Sequence, residues 1–335
     1  MEFGLGVPTA TEGLMYPVPY ADAAEAVSLA VRAELLGFGS VWGNDHVTTQ
    51  RYVRAEGAAP PRYLDPWLYL AYVAGQTSML RLGTCVSVLP FRHPVVLAKQ
   101  AATLDQLSGG RLILGVGIGA YREEFEAMWP GRRLHRGEYA AEALPALSAL
   151  LTQRTASFEG RWVSFRDVES YPKPVQQPLP VLSGGNSDGS RRRAARLATG
   201  WLPACLTPTE VAGGLAGIRA EAAGAGRELP AGFEVALQVG VSIAATRADA
   251  VAQFTSSQLY AHLRSLAGST LLGRQDDLVD RNLVGTPAQV REQVERYRQA
   301  GVTTLAGLLF ATHTLTQTIE AMSMFSEDVI RHDRG

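Results

Sequence analysis

Apolar residues recur along this chain in two alternating rhythms. Short unbroken runs such as residues 3–7 (FGLGV) give way to stretches where apolar side chains return every three or four positions, as Ala24, Val27, Val31 and Leu35 do. Runs of the first kind fit buried strands, and the second kind fits helices with one face toward a core. The reading gives a strand at 3–7, a helix over 20–36 ended by Gly37, and a strand at Ser40–Gly43. A helix over 66–78, a strand at 81–89, a helix over 94–107 and a strand at 111–116 follow, then helical stretches to Leu151. Four further apolar runs, LPVLSGG, GWLPACL, FEVALQVGVSI and VTTLAGLLF, bring the strands to eight.

Two helix starts are written in the sequence. Thr207-Pro208-Thr209-Glu210 and Thr286-Pro287-Ala288-Gln289 each offer a Thr cap, a Pro at the first helical position and an acid or amide three residues after the cap. Together those features form a capping box. Eight strands, each followed by helix, favour a (β/α)8 TIM barrel over a doubly wound sheet, and one α/β domain over residues 1–335. Two stretches break the alternation, at about 153–178 and 267–285. The first contains SFEGRWVSF (157–165), which reads as a hairpin turning at Glu159-Gly160, and then the proline-rich YPKPVQQPLP. Both are expected as insertions after barrel strands, where loops cap binding sites.

Composition removes some partners. The 31 basic and 32 acidic side chains nearly cancel, so no nucleic-acid or acidic-membrane partner is expected, and a small-molecule substrate is. Cys85 and Cys205 stand far apart with no CxxC or His-rich surroundings, and no HxH cluster follows a strand, so no metal is expected. No secretion signal opens the sequence and no apolar run reaches the ~20 residues of a membrane span. The expected location is the cytoplasm.

In a barrel, chemistry sits at the C-terminal ends of the strands. Pro8 follows the first strand there. Asp45 and His46 follow the second; His46 is the candidate for hydrogen bonding or proton transfer, with Asp45 as its orienter. Phe91 follows the third strand and Tyr121 the fourth. After the fifth, Gly185, Asn186, Ser187, Gly189 and Ser190 lead into the helix RRRAARLA, and exposed amides with serine hydroxyls at a helix start suit an anion. Gly115, Gly117 and Gly119 form GxGxG after the fourth strand, not the GxGxxG of a dinucleotide fold after the first. Alternate glycines there are expected to bare one face of backbone to a flat ring or a phosphate.

The block RLGTCVSVLPFRHPVVLAKQAATLDQLSGGRLILGVGIGAYREEF (81–125) resembles the bacterial luciferase-like superfamily of flavin- and deazaflavin-dependent oxidoreductases. The likeness continues through PKPVQQPLPVLSGGNSDGSRRRAARLATGWLP to GTPAQVREQVERYRQAGV. It implies a (β/α)8 barrel, usually dimeric, with a reduced flavin or deazaflavin at the C-terminal mouth. By that resemblance the ring rests at Cys85-Val86, across a non-prolyl cis peptide, with Gly117, Ile118 and Gly119 beside it. The phosphate lies near Ser187 and Ser190, and His46 matches a histidine beside the reactive part of the ring. Two positions depart from family patterns: Ala120 stands where deazaflavin-dependent sugar dehydrogenases carry a glutamate, and Ile118 where luciferases carry an arginine. Tyr121 matches a luciferase aromatic.

The leading expectation is a monooxygenase that takes reduced FMN from a separate flavin reductase and uses O2 to oxygenate a small, apolar or aromatic substrate, as a homodimer. Pro8, Trp42, Phe91 and Tyr121 are candidates to line the substrate pocket. The first alternative is hydride transfer with coenzyme F420. The second is a flavin-binding homologue without catalysis.

Overall fold

The computed structural model describes residues 1–55, 59–274 and 276–334. Eight parallel strands close on themselves: β1 (Glu2–Gly6), β2 (Ser40–Gly43), β3 (Arg81–Thr84), β4 (Leu112–Gly117), β5 (Val181–Gly184), β6 (Gly200–Leu202), β7 (Glu234–Ile243) and β8 (Thr304–Phe310). Each pairs with the next in chain order, and closure comes from Glu2 of β1 opposite Thr304 of β8. This is the barrel the apolar runs predict, with helices between the strands.

The local signals act as expected at helix starts. Thr207 and Thr286 cap the helices Pro208–Gly224 and Pro287–Gln299, each with both halves of its capping box formed. The hairpin forms from Ala156–Glu159 and Ser164–Val168, with Phe158 opposite Phe165. Boundaries move elsewhere. The helix predicted from residue 20 begins at Ala23, where Asp22 accepts from the Glu25 amide, and the one predicted to reach 78 ends at Ala74.

The run 81–89 is not one strand. β3 stops at Thr84, the Cys85–Val86 peptide is cis, and Ser87–Val88 pairs with the far end of β4 before a 3-10 turn at Leu89–Phe91. The second insertion holds turns and a short strand, Leu283–Gly285, on the outer edge of β7; Gln275 within it lies outside the described residues. Among the described residues no helix is long and apolar enough to cross a membrane.

The barrel interior is filled by Trp42, Cys85, Ile113, Leu182, Leu202, Ala236 and Ala306. Trp42 has no exposed surface and fits because Gly4 and Gly83 lack side chains: a Cβ at either would lie 2.3 Å from its indole. A larger apolar layer joins the strands to the helices. At the N-terminal end of the barrel the first residues of three strands meet, with Arg81 Nη2 donating to Glu234 at 3.0 Å and Nη1 to Glu2 at 3.0 Å.

Candidate functional site

The C-terminal mouth opens into a cavity of about 330 Å³. Its wall includes Asp45, His46, Cys85, Val86, Gly117, Ile118, Gly119, Tyr121, Gly185, Asn186 and Ser187, which sequence reasoning placed there. Pro8, Trp42, Phe91, Gly189 and Ser190 are not part of that wall. Pro8 is buried, Trp42 fills the barrel below, and Phe91 packs against Phe125 with ring centroids 5.4 Å apart. The Ser190 hydroxyl donates to Gly184 O at 2.8 Å, tying the helix start to β5.

One wall carries the titratable groups. His46 Nδ1 lies 3.0 Å from Oε1 of Glu124, a side chain with no exposed surface on the helix Arg122–Met128. The same oxygen accepts from the Val47 amide at 3.1 Å. Gln50 Nε2 stands 3.3 Å from His46 Nδ1, and Tyr63 donates its hydroxyl to Gln50 Oε1 at 2.7 Å. Asp45 does not orient His46, contrary to the sequence expectation. Its carboxylate is held by Arg92 Nη2 at 3.1 Å and the Val88 amide at 2.9 Å, so it fastens the loop after β3 instead.

Burial sets the protonation of other groups in and behind the wall. It pushes the Tyr121 and Tyr63 phenols upward and the Cys85 thiol up to about 12, so all three stay neutral. His262, facing Tyr52 with Nδ1 3.0 Å from the hydroxyl, is brought down to about 3, first by burial and then by the nearby His46. It too is neutral at pH 7.

The cavity wall also carries cations. Ser187 caps the helix Asp188–Leu197, accepting from the Ser190 amide at 3.2 Å, and Arg193 of that helix reaches the cavity. Arg136 reaches it from the start of Arg136–Thr152, donating to Gly119 O at 2.7 Å with its guanidinium 5.0 Å from the Phe125 ring centre. Among the described residues neither guanidinium has a carboxylate partner, and burial lowers the pKa of both. A half-buried cation without a counter-ion is costly, and an anionic ligand offsets that cost. The sequence analysis singled out neither Arg193 nor Arg136. RRLHR and RRR give no sign of which arginine turns inward.

The glycines act differently from the expectation. A Cβ on Gly117 would lie 2.4 Å from Val86 Cγ2, one on Gly184 2.5 Å from Val86 Cγ1, and one on Gly115 2.0 Å from Thr84 O. The vacated space is therefore filled by protein. Gly117 and Gly184 form a notch that holds the Val86 side chain upright at the cavity floor. Gly119, with φ 72°, makes room for Phe125.

The mouth is roofed by the segment after β7. Leu259, Leu263, Leu266 and Leu271 face the cavity, and Asn186 Nδ2 donates to Thr270 O at 2.9 Å and to Ala204 O at 2.8 Å, joining roof and wall.

The closed (β/α)8 barrel carries this cavity at the C-terminal mouth of its strands, the face on which barrels of this class place their chemistry. The profile of the luciferase-like monooxygenase family matches residues 1–304, and the chain belongs to that family. An F420-dependent glucose-6-phosphate dehydrogenase of Kineococcus radiotolerans is 34% identical over 176 residues, 52% of this chain and 50% of that protein. The oxygenase component of a flavin-dependent trigonelline monooxygenase of Acinetobacter baylyi is 34% identical over 159 residues, 47% of this chain and 41% of its own length. The chain thus spans about half the length of these curated relatives. The crystal structure of the monooxygenase RslO1 from Streptomyces bottropensis superposes with a TM-score of 0.79 over 99% of both chains at 24% identity, a likeness of fold. Relatives of both kinds are oxidoreductases, so the family's cofactor is a flavin or F420.

Proposed function

We propose that this chain is the oxygenase component of a reduced-flavin-dependent monooxygenase, taking reduced FMN from a separate reductase and oxygenating a small apolar or aromatic substrate with O2. The observation that carries the reading is the mixed polarity of the cavity: Arg136 and Arg193, which have no carboxylate partner among the described residues, and the Ser187-capped helix start share its wall with apolar side chains such as Val86, Leu202 and Leu263. A flat ring ending in a phosphate has that polarity, so the donor set fits FMN.

Bound there, reduced flavin supplies the electrons that activate O2. The chain's residues do the rest. Arg136, Arg193 and Ser187 hold the phosphate. Val86, propped in its glycine notch, and Cys85 support the ring, with Gly117, Ile118, Gly119, Gly185 and Asn186 shaping its surroundings. The roof leucines keep water out, which protects a reactive intermediate. His46 holds or moves a proton at Nε2, and Tyr121 stays protonated as a donor. The exposed Leu68, Tyr72, Val96 and Leu107 on the adjoining helices Pro66–Ala74 and Pro94–Ser108 support a homodimer.

A second reading, hydride transfer with F420, is favoured by one observation. Arg132, Arg133 and Arg192, exposed and close in sequence to Arg136 and Arg193, have no ion-pair partner among the described residues. A single phosphate does not need them, and a deazaflavin whose phosphate bears a carboxylate tail does.

Fluorescence titration with FMN, riboflavin and F420, with the oligomer read by light scattering at the same concentrations, tests both. The expected result is FMN binding well above riboflavin, and O2 consumption with a coupled reductase and substrate. Binding of F420 alone replaces the monooxygenase with the second reading.

A further inference from the structure

The geometry points to Glu124 as the positioning residue of the mouth: it fixes the proton of His46 on Nδ1 and leaves Nε2 as the working nitrogen toward the cavity.

Glu124 is buried without an arginine or lysine partner among the described residues; its only ion pair is with His46. Oε1 takes the Val47 amide and faces His46 Nδ1, and Oε2 is buried with no hydrogen-bond partner among the described residues. Beside the Val47 amide, the group placed to donate to this carboxylate is the imidazole Nδ1–H.

Two groups compete for Nδ1. The amide nitrogen of Gln50, 3.3 Å away, asks for a lone pair there, whereas the Glu124 carboxylate, 3.0 Å away, asks for a proton. A hydrogen bond to an ionised acceptor is about twice as strong as a neutral one, and this contact is also the shorter. Glu124 therefore decides the tautomer. The other groups around the ring leave the choice intact: Tyr63 and Tyr121 lie 6.0 Å and 5.5 Å away between ring centres, His262 is neutral, and Asp45 is engaged by Arg92. With its proton on Nδ1, the imidazole presents a lone pair at Nε2.

The turnover part of this inference rests on the oxidoreductase reading of the site, and the tautomer part does not. The direct test is nitrogen-15 NMR of histidine-labelled protein without any cofactor. In the unaltered protein His46 is expected as the Nδ1–H tautomer at neutral pH, and an Nε2–H tautomer overturns the proposal with no variant needed. In Glu124→Gln the tautomer is expected to switch to Nε2–H. In the holoenzyme that variant is expected to lose about 10²–10⁴-fold in turnover with cofactor affinity unchanged within twofold. His46→Ala and the double variant with Glu124→Gln are expected to be equally slow, because Glu124 acts through the imidazole. Additive losses, or an Nδ1–H signal persisting in Glu124→Gln, also overturn it. A retained tautomer switch with no turnover on any flavin or F420 would instead count against the oxidoreductase reading.

Discussion

The two ends of the barrel use the same residue types in opposite ways. At the N-terminal end Arg81 is answered by Glu2 and Glu234, and Arg111 donates to the carbonyls of Ala74, Thr77, Leu80 and Ser108. At the C-terminal mouth, among the described residues, Arg136 and Arg193 have no carboxylate partner and Glu124 pairs with a histidine rather than with an arginine or lysine. Charges satisfied within the chain hold strands together. On the proposed function, the charges without a partner at the mouth serve a ligand, at some cost in stability.

The largest effect expected from this contrast is on binding. Arg136→Ala combined with Arg193→Ala should weaken FMN by about 10²–10⁴-fold, the worth of two charged hydrogen bonds at about 1.5–3 kcal/mol each. The same variant should bind riboflavin as the unaltered protein does, and its melting temperature without cofactor should change little, since the lost Gly119 and Phe125 contacts are offset by the removal of two half-buried charges. A fall in stability with unchanged FMN affinity would show these arginines to be scaffold after all.

Acid tests the mouth next. His262 has its pKa lowered to about 3 in the folded protein, against 6.5 for an ordinary histidine. Between those values the unfolded chain binds a proton that the folded one refuses, so stability falls as pH drops below about 6.5. From this group the loss between pH 7 and pH 5 should be about 2 kcal/mol. Urea unfolding at both pH values should show it, and His262→Gln should remove it. An equal slope in the variant would assign the acid sensitivity elsewhere.

The smallest effect belongs to the N-terminal end. Arg81→Met should lower unfolding free energy by about 1–2 kcal/mol, discounted for its partial exposure, and leave FMN affinity unchanged. Denaturant midpoints and the same fluorescence titration measure both halves of that statement.

Much of the fold was legible along the chain. The eight apolar runs became the eight strands, and the two Thr-Pro capping boxes became helix starts at Pro208 and Pro287. The site was legible as a place more than as a set of roles. His46, Tyr121, Cys85 and Ser187 do gather at one mouth. Yet the partner of His46 is Glu124 and not the adjacent Asp45, and the spaced glycines accommodate Val86 and Thr84 rather than baring their backbone. YREEFE holds three acids within four positions, and nothing in that string says which one turns inward.

Period, caps and turn residues act within a few positions of themselves, so residue order alone was enough to set this chain's strand and helix succession, and with it the barrel. Pairing and desolvation act across the folded molecule. Glu124 lies 78 residues from His46 and Arg92 lies 47 from Asp45, and their meetings arise only when the barrel closes. Which charges find partners was therefore settled by the assembled mouth.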